Sequence, residues 1–115
     1  MFINLVRIFP SASDQEAVRG FLTGLLEPTR VQRGCLSCTL AIESDPDAFL
    51  YMECWESKAD LLRHLRSDEY AKILAMMELS TSKPDVSVYD VANEQGLELI
   101  EKVRMADPDS EQGSA

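Results

Sequence analysis

Basic residues are scarce in this chain of 115 residues: 11 Lys and Arg stand against 20 Asp and Glu, giving a net charge of −9. Such a balance excludes a nucleic-acid-binding face, which needs clustered Lys and Arg on phosphates. It also excludes docking on anionic membrane surfaces and is read simply as a charge that favours solubility. Histidine and tryptophan occur once each, as His64 and Trp55, so a zinc site built from several His ligands is excluded. Cysteine is limited to Cys35, Cys38 and Cys54, an odd count that argues against a disulfide framework. Cys35 and Cys38 have the spacing of a redox or metal pair, but "CLSCTLAIE" alternates like a strand. Residues three apart on a strand point to opposite faces, with Cα atoms roughly 10 Å apart, beyond disulfide reach. Small buried hydrophobes are the expectation for them. No run approaches the roughly 20 apolar residues of a membrane span. "MFINLVRIF" lacks a basic region followed by an apolar core and cleavage site, so the expected compartment is the cytoplasm.

What the sequence does have is 45% hydrophobic residues, enough for one packed core. "FINLVRIF" (2–9) reads as a strand with Phe2, Asn4, Val6 and Ile8 on one face and Ile3, Leu5, Arg7 and Phe9 on the other. Ser13 and Glu16 read as a capping box for a helix carrying Val18, Phe21, Leu22, Leu25 and Leu26, ending near Glu27 before Pro28. Residues 35–43 are a second strand, with Leu36, Cys38, Leu40 and Ile42 sharing a face. "SDPD" (44–47) is a turn. "AFLYMECW" (48–55) is the hairpin partner, with Phe49, Tyr51, Glu53 and Trp55 on one face.

Ser57 caps a short helix reaching about Arg66, with Leu61, Leu62 and Leu65 inward; Ser67 caps the next, with Tyr70, Ile73, Leu74 and Met77 inward. "DVSVYDVA" (85–92) is a fourth strand. A final helix over about 94–104, capped by Asn93, turns Leu97, Ile100 and Val103 inward, and residues 105–115 form a disordered tail. The order β-α-β-β-α-β is the ferredoxin-like split βαβ of an α+β domain, an antiparallel sheet with helices on one face. Its other face is apolar and uncovered, so a homodimer through that face is predicted.

The stretch "GCLSCTLAIESDPDAFLYMECWESKADLLRHLRSDEYAKIL" resembles the core of the antibiotic biosynthesis monooxygenase (ABM) family. "GCL" opens the second strand, "ECWES" marks the strand-to-helix junction, and "HLRS" lies between the helix pieces. The likeness covers about residues 1–92 within an ABM-like domain of 1–104. It implies a dimeric α/β barrel with a pocket between each sheet and its own helices. It also implies a monooxygenase that oxidises a quinol or other phenolic small aromatic with O₂, without metal, flavin or other cofactor. The alternative is a non-catalytic dimeric small-molecule-binding or stress-associated module of the same fold. Family members often carry a His at the position of His64. Many quinol monooxygenases carry a second His where this chain has Glu69. In the haem-degrading branch the ligand His falls on Leu74, and Leu cannot ligate iron.

Oxygenation of this kind needs a base, a donor for the substrate oxyanion and a dry apolar pocket. His64 is the candidate base by its intrinsic pKa. Trp55 offers an indole N–H and a flat wall, and Asn4 is the polar residue on an apolar strand face. Tyr51, Tyr70 and Glu53 complete the candidate substrate-binding set. Each also has a structural reading: a His64–Asp60 pair or dimer contact, a core-filling Trp55, an interface hydrogen bond for Asn4, and a Glu53–Arg7 ion pair.

Overall fold

The computed structural model describes residues 1–44 and 47–106. The centre of the expected turn (45–46) and all but the first two residues of the expected tail lie outside the described residues. The observed order is β1 (Phe2–Ile8), α1 (Gln15–Arg30), β2 (Cys35–Glu43), β3 (Ala48–Trp55), α2 (Lys58–Leu65), α3 (Asp68–Met77), β4 (Asp85–Asp90) and α4 (Leu97–Met105). The strands form one antiparallel sheet in the order β2-β3-β1-β4. This is the ferredoxin-like α+β arrangement expected from the alternation of strand and helix patterns.

Alternation along the two central strands sets the core. Val6 and Ile8 of β1 and Phe49 and Tyr51 of β3 bury their side chains against Val18, Leu22 and Leu25 of α1 and Ile73 of α3. Antiparallel register pairs Phe2 with Trp55, Asn4 with Glu53, and Val6 with Tyr51. Paired residues point to the same face, so the two polar positions of these strands meet on the helix-covered side. Each fully buried apolar side chain of this kind contributes about 1.5–3 kcal/mol.

The two helices between β3 and β4 begin as the sequence indicates. Ser57 Oγ accepts from Asp60 N at 3.2 Å and donates to Asp60 Oδ2 at 2.8 Å. Ser67 Oγ accepts from Tyr70 N at 3.2 Å. The first helix departs from expectation at both ends. Asp14 N bonds Ser11 O at 3.0 Å, and this turn delays the helix until Gln15. Ser13 Oγ meets Ser11 Oγ at 3.1 Å rather than capping. The helix also runs past Pro28, because the carbonyl freed at Gly24 lies on the solvent face and the end is closed by Val31 N on Glu27 O at 3.2 Å. Phe21 and Leu74, expected inward, stay exposed at the edges of their helix stripes.

A β-bulge at the start of β2 corrects the cysteine reading. Cys35 pairs with Trp55, but the next pair is Ser37 with Cys54, so Leu36 is the extra residue. Leu36 is consequently 55% exposed, while Cys35 and Cys38 both sit on the core side as free thiols. Burial raises both thiols, Cys38 to about 12, which leaves them as protonated packing groups. Ile42, toward the other end of β2, is also exposed.

The C-terminal helix differs most. It starts at Leu97, with Gly96 rather than Asn93 at its N-cap, and Glu98 Oε1 accepts from Gly96 N at 2.8 Å. None of its residues is buried: Leu97, Ile100 and Val103 face solvent because, among the described residues, no element covers them. The uncovered face of the sheet carries half-exposed Ile3, Leu5, Met52 and Tyr89. No helix of the described residues is long and apolar enough to cross a membrane.

Candidate functional site

Five polar or aromatic side chains converge where β1, β3, α2 and α3 meet. Asn4 and Glu53 come from the paired centres of β1 and β3, and Trp55 lies two residues along the same face. His64 reaches down from the last turn of α2, and Tyr70 from the first turn of α3. The Ser67 cap joins the two helices: Ser67 Oγ donates to His64 O at 2.6 Å while accepting from Tyr70 N. That corner fixes His64 and Tyr70 relative to one another.

Glu53 is the hub. Its Oε2 lies 2.6 Å from His64 Nε2, and both side chains are 0% exposed. Its Oε1 accepts from Asn4 Nδ2 at 3.0 Å and from Trp55 Nε1 at 3.5 Å. A buried carboxylate is tolerated only with this degree of hydrogen bonding. Asn4 Nδ2 also donates to Tyr70 OH at 3.2 Å. Trp55 and Tyr70 flank His64, with ring centroids 4.5 and 5.5 Å away. Burial raises the Tyr70 hydroxyl, which the Asn4 bond partly offsets, so it stays a neutral phenol near neutral pH.

His64 Nδ1 lies 2.9 Å from Gln32 Oε1. Both ring nitrogens therefore have a hydrogen-bond partner. With Nε2–H donated to Glu53, Nδ1 can accept from Gln32 once that amide presents its NH₂ group. Gln32 sits in the α1–β2 loop, which is fastened to the β3–α2 junction. Glu56 N bonds Gly34 O at 2.8 Å, and Arg63 Nη2 bonds Arg33 O at 3.1 Å. Gly34 has φ +86° and abuts Asp60 so closely that any Cβ would collide with it.

Asn4, Glu53, Trp55, His64 and Tyr70 are thus brought together. Tyr51 is not: its hydroxyl meets Thr29 Oγ1 at 3.3 Å and accepts from Cys38 Sγ at 3.1 Å, deeper in the core. The expected Glu53–Arg7 pair is corrected, since Arg7 alternates to the opposite face and pairs with Glu43 at 2.5 Å. The expected His64–Asp60 pair is corrected too, because Asp60 turns to Ser57 and Arg63. Those bonds hold the Asp60 carboxyl below its ordinary value. Gln32 escaped the sequence reading: a single polar residue in a loop carries no periodicity. Glu69 and Leu74 both lie on α3, and neither contributes a bond to the cluster. Among the described residues, no group of three or more His, Cys, Asp or Glu converges as a metal site. A cleft of about 380 Å³ lies elsewhere, lined by residues that include Pro10, Gln15, Arg19, Ile42 and Phe49.

A family model described as antibiotic biosynthesis monooxygenase matches residues 1–76, which include every residue of this cluster. The chain belongs to the antibiotic biosynthesis monooxygenase family. That membership places it among monooxygenase-like oxidoreductases. No curated relative matches the sequence. Among solved structures, Rv0793 from Mycobacterium tuberculosis is similar at 26% identity and TM-score 0.74, over 83% of this chain and 98% of that one. A candidate antibiotic biosynthesis monooxygenase from Deinococcus radiodurans is 23% identical with TM-score 0.74, over 84% and 97%. PA3566 from Pseudomonas aeruginosa is 22% identical with TM-score 0.66, over 79% and 94%. These last two share the ABM fold.

Proposed function

We propose that this ABM protein is a cofactor-independent monooxygenase that oxidises a quinol or phenolic aromatic with O₂, and that the Glu53–His64 pair is its proton acceptor. The observation that carries the reading is that pair: a carboxylate and an imidazole 2.6 Å apart, both out of water and flanked by Trp55 and Tyr70. A phenol or activated methylene gives up a proton more readily than an alkane, and the resulting carbanion can pass one electron to O₂. The two radicals join through a new C–O bond, and the peroxide loses water. In balance, CH₂ + O₂ becomes C=O + H₂O, with one oxygen atom retained.

In this scheme neutral His64 is the base. Its Nε2–H stays on Glu53, and its Nδ1 lone pair becomes available when the Gln32 amide turns aside. The imidazolium that forms would be held by Glu53 Oε2 and Gln32 Oε1, which lie within hydrogen-bond distance of the two ring nitrogens. A carboxylate that orients and stabilises a catalytic imidazole follows established acid–base logic. Trp55, Asn4 and Tyr70 position the aromatic ring; Tyr51, on the same strand face, is assigned to the floor beneath it.

The protein is further proposed to act as a homodimer through the uncovered sheet face, where half-exposed Ile3, Leu5, Met52 and Tyr89 form an apolar surface that water disfavours. Residues 1–104 are assigned to one ABM-like domain and 105–115 to a disordered tail. The free thiols suit a reducing cytoplasm.

The test is oxygen consumption with a panel of hydroquinones and anthrone-like phenols, without added metal or flavin. Uptake that falls at least about tenfold in His64→Ala supports the assigned base. Uptake unchanged in the variant removes His64 from the chemistry. No uptake above autoxidation favours a binding module that holds such aromatics without turnover.

A further inference from the structure

Two neighbouring groups in the buried cluster have hydrogen-bonding capacity that the described residues leave unused. Asn4 is 1% exposed, and its Oδ1 has no partner among the described residues. The orientation of that amide is dictated by Glu53. A carboxylate oxygen only accepts, so Asn4 must turn its NH₂ group to Glu53 Oε1, which leaves Oδ1 unpaired. Tyr70 is also buried, and its hydroxyl makes one bond among the described residues, the one it accepts from Asn4 Nδ2 at 3.2 Å. Its own hydrogen is therefore still to be donated. An orphaned acceptor of this kind costs about 1–3 kcal/mol and calls for an occupant.

The missing complement is specific. Asn4 Oδ1 requires a donor and the Tyr70 O–H requires an acceptor. A hydroxyl group is both. A ketone or ether oxygen can only accept, and would satisfy Tyr70 while leaving Asn4 Oδ1 empty. An anionic oxygen fails in the same way. We propose that Asn4 and Tyr70 form a hydroxyl-recognition pair that selects the reduced, hydroxyl-bearing aromatic over its carbonyl or ether counterpart. The redox meaning of this selection rests on the oxygenase reading above: the pair would favour a phenolic substrate and release a quinone-type product. The cleft beside Pro10, Gln15 and Phe49 is not lined by Asn4 or Tyr70, and both side chains are buried. Entry therefore requires the α2–α3 corner, which carries both His64 and Tyr70, to shift.

Anaerobic calorimetric titration of the full chain tests the pair without turnover. The probes are 1,4-dihydroxynaphthalene and its dimethyl ether, which share a ring and differ in hydroxyl donors. The expected result is that wild type binds the dihydroxy compound about ten- to a hundredfold more tightly than the ether, the penalty of an unmet buried acceptor. Asn4→Leu removes the acceptor that only the dihydroxy compound can meet, and should bring that preference down toward unity. Asn4→Ala serves the same purpose if Asn4→Leu does not fold. Tyr70→Phe removes the donor that both probes use, so it should weaken both by a similar factor and keep the preference. Equal binding of both probes by wild type, binding of neither, a preference that survives in the folded Asn4 variant, or binding of both probes unmoved in Tyr70→Phe would overturn the proposal. Oxygen uptake on the same samples separates the two readings. Hydroxyl preference without uptake removes the oxygenase and leaves the recognition pair. Uptake without preference does the reverse.

Discussion

Breaking the Glu53–His64 pair from one side should cost at least as much as its removal from both. In His64→Leu, the Glu53 carboxylate stays buried with only Asn4 and Trp55 as donors. In Glu53→Leu, His64 stays buried without its 2.6 Å partner. Removing one member of a buried charge pair costs about 3–5 kcal/mol. At roughly 4 °C per kcal/mol for a domain of this size, each single variant should melt about 12–20 °C below wild type. The double variant Glu53→Leu/His64→Leu removes both ionisable groups. Its remaining cost is the unpaired Asn4 and Trp55 donors, at about 1–3 kcal/mol each at most. It should therefore be no less stable than the worse single variant, which sets the coupling at about 3 kcal/mol or more. Urea unfolding at one fixed protein concentration, followed by Trp55 fluorescence and by circular dichroism, measures all four corners of the cycle. Single variants that each cost under about 1 kcal/mol and add independently would show that the pair is neither desolvated nor coupled, and the reasoning would fail.

Three further outcomes follow from local geometry and titration. Gly34→Ala must place a Cβ against Asp60 at a positive φ. It should cost at least about 1–3 kcal/mol and loosen Gln32 from His64; unchanged urea stability with an intact His64 ring environment by NMR would contradict this. Cys38 keeps its proton in the folded state to about 12 but loses it at an ordinary 9.0 when unfolded. Its contribution is full below pH 9.0 and falls as pH rises toward 12. Urea midpoints between pH 8 and about 11 should fall less steeply in Cys38→Ala than in wild type, and parallel slopes would refute it. Asp60 is held below its ordinary 3.8 by Ser57 and Arg63. The stability it supplies is present above 3.8 and disappears as pH falls through the folded value. The advantage of wild type over Asp60→Asn should therefore vanish on acidification, whereas a pH-independent difference would show that the carboxylate charge is not responsible.

Much of the site was legible because strands alternate strictly. Asn4 shares a face with Val6 and Ile8, and Glu53 shares one with Tyr51 and Trp55, so each was grouped with its strand neighbours before any pairing was known, although which face the helices cover was not. The Ser57 and Ser67 caps located the starts of α2 and α3, and with them His64 and Tyr70. What stayed hidden depends on relations between distant segments. The Asn4–Glu53 register, which turns two candidate residues into one network, follows from how β1 docks on β3 rather than from either strand alone. The bulge at Leu36 reverses the alternation for Cys35, and nothing in "GCLSC" signals the extra residue. Gln32 lies in a loop whose position is set by contacts from Gly34 and Arg33 to the β3–α2 junction and α2. The Glu53–Arg7 assignment failed because it joined opposite charges without honouring the face each occupies. The exposure of α4 has the same origin: its Leu97–Ile100–Val103 stripe was read as facing inward, but periodicity does not say what covers a stripe.

The central claim, that this cluster supports insertion of an oxygen atom from O₂, is tested most directly by turnover under ¹⁸O₂ with mass analysis of the product, for wild type and His64→Ala. The account predicts one ¹⁸O atom in each carbonyl product of an anthrone-like phenol, the second recovered as water, and loss of that product in the variant. An unlabelled product accompanied by hydrogen peroxide, or label incorporated equally with and without His64, would contradict it.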